Sequence, residues 1–368
     1  MSKSKFKNLF LLMICFLYSL RRGRANLFPV NPKNFLILRF KPHVGDIVFI
    51  TPLFRAVKVK YPHARLYVLG AGRVEEGMAN NPDIDEYILY QNNFWATVRQ
   101  LRKENFDFAC LANAGSSEGL ALLYLAGVKC ISTFSSVNDQ EIPSLSYKFL
   151  SKLTIGKPFY TGQYVPPQYL KLLEPIGIKT DDCHFRLYFS EKAKNAIGNL
   201  FVRNSISKEN EFIVGLAPGG STENRWWPAE RFAKLAEYLT ARYKARIFLV
   251  GVGKDEKPIN EILRLVRPKI RCVNLLNQSL DEFKAFMAQT YLVVGNDSGP
   301  MVTADAFDIA NIVLVGPTAP REYHRLPGPL NRVGVAEDRI MTSISLQKVI
   351  EEVGSVLHVL QKQKILIR

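Results

Sequence analysis

Short apolar runs alternate with amphipathic stretches along most of this chain. Residues 35–40 (FLILRF), 65–69, 86–90, 108–112 and 129–134 have the length and β-branched content of buried strands. Between them, 47–61, 74–80, 94–104 and 116–126 carry the spacing of helices. The alternation resumes at 212–216. It continues through a helix at 229–243, a strand at 246–250, a helix ending at 267 and another at 279–289. Strands at 292–294 and 311–315 and a closing helix at 346–360 complete it. Strands that alternate with helices predict α/β layers with parallel sheets, not a sandwich or a bundle. Residues 168–176 read as a helix closed by Gly177. The Ser-, Pro- and Tyr-rich run 135–165 shows no readable order. Residues 179–210, with mixed charge and Asn, Ser and Gly breaks, are the candidate domain boundary. Residues 319–334 read as irregular.

Two turns stand out. In 291–318, a strand is broken at Gly295-Asn296-Asp297, and Ser298-Gly299-Pro300 opens a helix. Pro near the first helical position costs no hydrogen bond. A helix starting straight after a parallel strand presents unpaired backbone N–H groups, which suit a phosphate or a polar sugar. A plain capped β–α turn accounts for the same spacing. The second turn follows 35–40, where Lys41-Pro42-His43-Val44-Gly45-Asp46 leads into the helix at 47–61. Here Asp46 is a helix cap or a proton acceptor. The nucleotide cradles GxGxxG and GxxxxGK[ST] are both absent, which disfavours ordinary NAD or ATP binding. Asp83-Ile84-Asp85 mimics a metal-binding DxD, but Pro82 before it and Tyr87-Ile88-Leu89 after it mark a turn leading into a strand.

Length and charge narrow the picture. With 368 residues, about two domains are expected. The net charge is +16, and seven of those units lie in residues 1–33, which hold no acid. Such a balance suits nucleic acid, anionic membrane or phosphorylated substrates. No zinc-finger spacing, RNA-binding aromatic motif or basic heptad helix is present, so nucleic acid is set aside. Residues 9–20 (LFLLMICFLYSL) are apolar between cations. Twelve helical residues reach about 18 Å against roughly 30 Å of hydrocarbon. Arg21-Arg22-Gly23-Arg24 follows instead of a signal-peptidase site. The expectation is a helix lying on an anionic membrane face, or else a disordered or packed arm. The five cysteines are unpaired by spacing, which fits a reducing compartment.

Three stretches carry a resemblance: 37–66 (ILRFKPHVGDIVFITPLFRAVKVKYPHARL), 215–239 (GLAPGGSTENRWWPAERFAKLAEYL) and 293–320 (VVGNDSGPMVTADAF…VLVGPTAP). Together they resemble glycosyltransferase family 9, the ADP-heptose:lipopolysaccharide heptosyltransferases, over residues 35–345. The resemblance implies a GT-B fold, two Rossmann-like α/β domains with parallel sheets facing across a cleft. It implies an acceptor-binding domain at 34–190 and a nucleotide-sugar-binding domain at 205–345, which the basic, apolar arm at 1–33 and a C-terminal helix at 346–368 flank. It also implies an inverting reaction needing neither metal nor cofactor, from an ADP-sugar to a lipopolysaccharide-core or other lipid-linked saccharide. The enzyme would sit in the cytoplasm, peripheral on the inner face of a bacterial inner membrane.

Carried over by position, the resemblance makes Asp46 the base that accepts the proton of the attacking hydroxyl. Arg225 stands where the family has Lys and would grip the diphosphate bidentately. Gly45, Ser221, Thr222, Ser298, Gly299, Pro300 and Met301 fall in the donor-binding motifs. Asp297 would cap the helix or hold sugar hydroxyls, and Asp255 or Glu256 would hold the ribose. Trp226 and Trp227 are expected to pack. The departures are Val302-Thr303 in place of His-Leu, and Asp305 in place of a small residue. The alternatives are a GT-B transferase with another nucleotide sugar, or a catalytically impaired saccharide-binding relative.

Overall fold

The computed structural model describes residues 3–40, 44–72, 74–207, 211–317, 328–336 and 338–362. Residues 41–43 and 318–320 of the family motifs lie outside these, as does most of the stretch read as irregular. The chain divides into two compact units, Met1–His184 and Phe185–Arg368.

The first unit runs α1 (Lys3–Arg22), β1 (Asn34–Arg39), α2 (Val44–Val48), α3 (Thr51–Lys60), β2 (Arg65–Gly70), α4 (Val74–Met78), β3 (Glu86–Leu89) and α5 (Phe94–Lys103). It continues with β4 (Phe108–Leu111), α6 (Ser117–Leu125), β5 (Cys130–Val137), β6 (Gln140–Glu141), α7 (Leu145–Lys152), β7 (Ile155–Phe159) and α8 (Val165–Leu170), which tightens into a 3₁₀ turn over Lys171–Ile176. The strand order is β3-β2-β1-β4-β5-β6, with β7 also on β5. β1 pairs in parallel with β2 and β4. A strand covered on both faces needs apolar side chains in both directions, hence the unbroken Phe35-Leu36-Ile37-Leu38. Gly177 closes the 3₁₀ turn in the left-handed conformation, φ 72°.

Two expectations change here. The stretch 47–61 is two helices, not one, because Pro52 inside a continuous helix would remove a hydrogen bond and strike the preceding turn. The chain restarts instead, with Pro52 in the first turn of α3. The unreadable run 135–165 holds a hairpin, a helix and a strand. Asn138 and Asp139, both at positive φ, make the tight turn between β5 and β6. Ser144 then caps α7 by accepting from the Tyr147 N–H.

α1 spans twenty residues, and no helix among the described residues is long and apolar enough to cross a membrane. It packs on α6 and α7 through Leu11, Cys15 and the partly buried Ile14 and Tyr18. Arg22 pins its end by donating to the carbonyls of Tyr124 and Val128.

The second unit runs α9 (Glu191–Arg203), β8 (Phe212–Ala217), α10 (Ala229–Tyr243), β9 (Ala245–Gly251), α11 (Glu256–Leu265), β10 (Cys272–Leu276) and α12 (Leu280–Met287). Then come β11 (Leu292–Asn296), α13 (Gly299–Ala306), β12 (Ala310–Val315), β13 (Asn331–Val335) and α14 (Leu346–Lys362). The strands are parallel, in the order β10-β9-β8-β11-β12-β13. Strand alternation sorts the core into two layers. Val214, Leu216, Ile247, Leu249, Val294 and Ile312 pack with side chains of α10 and α14. Ile213, Phe248, Val250, Val293 and Val313 pack with those of α9, α12 and α13.

The break between the units, after His184, falls inside the stretch 179–210, and α9 follows it. Two readings are corrected. β13 begins within the stretch taken as irregular. β11 continues through Gly295 and Asn296 before the chain breaks. Gly295 is fixed by closeness to β8: a Cβ there would sit 2.6 Å from the Ala217 Cβ.

Candidate active site

In the first unit, β1 ends at Arg39 and α2 begins at Val44, so Asp46 is delivered at the carboxyl end of a central strand. Ligands of open parallel sheets collect at such ends. Arg39 Nη2 donates to Asp46 Oδ1 at 2.7 Å. The Arg39 side chain is 4% exposed and that of Asp46 18%. Gly45 is half-buried beside it. The neighbouring strand supplies Asn113, whose Oδ1 accepts the Phe40 N–H at 2.8 Å and ties the end of β1 to the turn after β4. The DxD residues sit in the turn before β3. Arg55 pairs with Asp83 at 3.2 Å, and Lys58 with Asp85 at 2.5 Å.

In the second unit, the loop 217–228 after β8 and the start of α13 after β11 lie at the same end of adjacent parallel strands. Asn296, fully buried, clips them together. Its Nδ2 donates to the carbonyls of Pro218 and Gly219, at 2.6 and 3.2 Å, and its Oδ1 accepts the Trp227 N–H at 3.0 Å. Arg225 ends a 3₁₀ turn over Glu223–Arg225 and is half-buried. Glu223 beside it is neutralised by Lys257 at 2.7 Å, and no carboxylate among the described residues pairs with Arg225. Ser221 and Thr222 are exposed in the same loop, and the Thr222 hydroxyl donates to Asn224 Oδ1 at 2.5 Å.

α13 starts as expected, with Pro300 in its first turn. Asp297 donates its N–H to the Leu314 carbonyl, and Ser298 its hydroxyl to that of Asn296. A Cβ built on Gly299 meets nothing within 4 Å, so packing inside the protein does not require glycine there. Trp227 packs as expected, fully buried, with Nε1 on the Ile344 carbonyl at 2.8 Å. Trp226 is half-buried.

Two sequence-assigned donor contacts do other work. Met301 is fully buried in the core against Gly295. Asp255 is 7% exposed, and its carboxylate accepts the N–H groups of Gly220 and Val252. It braces the loop and is not left presented to a ribose. Val302 is buried. Asp305, also buried, accepts the side-chain amides of Asn311 and Asn331, at 2.8 and 3.3 Å, and ties α13 to β12 and the start of β13. A cavity of about 280 Å³ opens in the first unit between the turn at Ala114-Gly115 and the β5–β6 hairpin. None of the sequence-assigned residues lines it.

The family model described as glycosyltransferase family 9 (heptosyltransferase) matches residues 94–346. The chain belongs to glycosyltransferase family 9. Its members' GT-B fold is the pair of Rossmann-like units described above, and the chain is a glycosyltransferase. It is 28% identical over 298 residues to lipooligosaccharide heptosyltransferase 2 of Haemophilus influenzae, covering 76% of this chain and 82% of the relative. It is 31% identical over 280 residues to the protein of that name from Campylobacter jejuni, covering 75% and 79%. The solved Escherichia coli ADP-heptose LPS heptosyltransferase II superposes with a TM-score of 0.72 at 22% identity, over 90% of this chain and 99% of that one. Within this family 9 chain, sequence reasoning missed Arg39 and Asn296. A buried Arg at the end of an apolar strand was the available signal for the first. The second read as a strand breaker, because its partners lie 69 to 78 residues away.

Proposed function

We propose that this protein is an inverting, metal-independent heptosyltransferase. It moves a heptose from ADP-heptose onto a lipopolysaccharide-core saccharide. The observation that carries the reading is the set of relatives named heptosyltransferase 2 that align with three quarters of the chain. The acceptor hydroxyl attacks the anomeric carbon and passes its proton to Asp46. The bond from that carbon to the diphosphate breaks, and ADP leaves with the electron pair. The first unit binds the acceptor, and the second binds the donor. Arg225 and the backbone N–H groups at the start of α13 meet the diphosphate charge in place of a metal. Two features support that grip: a guanidinium without a carboxylate partner among the described residues, and a glycine at 299 that the protein's own packing does not require. Ser221, Thr222, Ser298 and Asp297 complete the donor contacts. The exposed face of α1 rests on the anionic inner leaflet that carries the acceptor, which makes the enzyme peripheral on the cytoplasmic side.

The test is Asp46→Asn assayed with ADP-heptose and truncated lipooligosaccharide. Transfer is expected to fall about 10²–10⁴-fold, the usual worth of a general base. ADP-heptose should raise the melting temperature of wild type and variant alike. Full turnover in the variant removes Asp46 as the base. No thermal shift with ADP-heptose, but one with another nucleotide sugar, reassigns the donor.

A further inference from the structure

We infer that Arg39 is the positioning residue for Asp46, holding the carboxylate in one orientation through a clamp that reaches three elements. The inference rests on the reading of Asp46 as base. Arg39 closes β1 in the middle of the sheet and is 3% exposed. Nη2 donates to Asp46 on α2 at 2.7 Å, and Nη1 donates to the Ala112 carbonyl just past β4. Nη1 also donates to the hydroxyl of Tyr169 on α8, whose ring lies 5.2 Å from the guanidinium carbon. The guanidinium is therefore immobile before it touches Asp46.

Stability alone does not account for this arrangement. Arg39 Nε is buried with no hydrogen-bond partner among the described residues. A group placed only to satisfy hydrogen bonds would not leave a donor orphaned. An apolar side chain at the end of β1 would fill the space without burying a charge. α2 has only five residues, too few for a helix to hold itself, so its geometry comes from what grips it. Local rules broken at one buried residue that contacts a reacting group mark a functional constraint. Arg39 touches neither saccharide nor nucleotide in this account. It acts through Asp46.

The experiment compares Arg39→Met, Arg39→Lys and Arg39→Ala with wild type and Asp46→Asn, each checked by thermal melt. Misplacing a base by about 1 Å costs about 10²-fold. Arg39→Met is expected to lose about 10²-fold in kcat, with KM for ADP-heptose and for the acceptor changed less than about threefold. Arg39→Lys should recover part of the loss, since an ammonium restores the charge but not the fork. Millimolar guanidinium chloride should partly restore kcat in Arg39→Ala. Independently of turnover, Arg39→Met should speed hydrogen exchange at 44–48 and not in β1 or β4. Wild-type kcat in Arg39→Met overturns the inference, as does a loss of rate matched by the loss of folded protein. Unchanged exchange at 44–48 also overturns it, whichever donor the enzyme takes. Turnover in Asp46→Asn instead overturns the base reading, so the two failures are told apart.

Discussion

Gly219 shows how tightly the donor loop is built. A Cβ there would lie 2.1 Å from the Asp255 carboxyl carbon. Gly219→Ala therefore forces Asp255 out of its niche, or lifts the loop that carries Arg225. Either way the bond from Gly220 to the carboxylate is lost, and displacement of Asp255 loses the one from Val252 as well. Hydrogen bonds to charged groups contribute about 1.5–3 kcal/mol each, so we expect a loss of about 2–4 kcal/mol in urea unfolding. In an Asp255→Gly background, which also removes the Asp255 Cβ that would lie 2.6 Å away, the clash is gone, and the same substitution should cost much less. Additive costs in that cycle would mean that the two residues do not meet. Single residues also limit what motif matching can assign. Met301 lies within a motif stretch and Asp255 just past β9, yet one faces the core and the other accepts from nearby backbone. Chain position says which loop a side chain belongs to, but not which way it points.

Among elements, the start of β1 depends on a clasp from the start of β4. Asp107 Oδ2 accepts the N–H groups of Lys33 and Asn34, at 2.6 and 3.1 Å, and Oδ1 takes Lys129 Nζ at 2.6 Å. Burial pushes this carboxyl up, but Lys129 and the two backbone donors outweigh it and hold the group below its ordinary value of 3.8. A depressed carboxyl stabilises the fold above the unfolded value and loses that contribution as pH falls through the folded one. Asp107→Ala should therefore cost about 2–3 kcal/mol at neutral pH. Its unfolding curve should approach that of wild type below about pH 4. A gap that stays constant down to pH 2 would show that the charge is irrelevant. Lys129 is half exposed, so the backbone donors carry most of the effect. The central strands were legible because a strand buried on both faces must be an unbroken apolar run. α9 was not. Ala193, Ile197 and Phe201 are buried and Leu200 is partly buried beside them, but Gly198 and two asparagines interrupt the rest, so the apolar stripe is narrow. β13 opens on Asn331 and Arg332 at the edge of the sheet, where pairing on one side alone leaves a weaker apolar signature.

For the whole molecule, the decisive question is what covers α1. One stripe of this helix is used inside the first unit: Leu11 and Cys15 are buried, with Ile14 and Tyr18 against the same core. The other stripe holds Leu9, Phe10, Met13, Phe16, Leu17 and Leu20, each 45% to 69% exposed. Six large apolar side chains on one helical face form a patch that a soluble surface rarely leaves bare. Arg21 and Arg24 beside it are exposed, in a chain with a net charge of +16. Apolar insertion and cation attraction then act together, each basic residue near an anionic surface adding about 1 kcal/mol. Because the docking stripe is separate, the exposed one can be changed without loosening the fold. Leu17→Ser with Leu20→Ser should leave the melting temperature within about 2 °C, since both side chains already face water. The pair should cut flotation with vesicles rich in phosphatidylglycerol several-fold. Added salt should weaken the remaining binding, because the charge contribution is screened and the apolar one is not. Equal flotation of wild type and the double variant would remove α1 as the anchor and leave its open face to another partner.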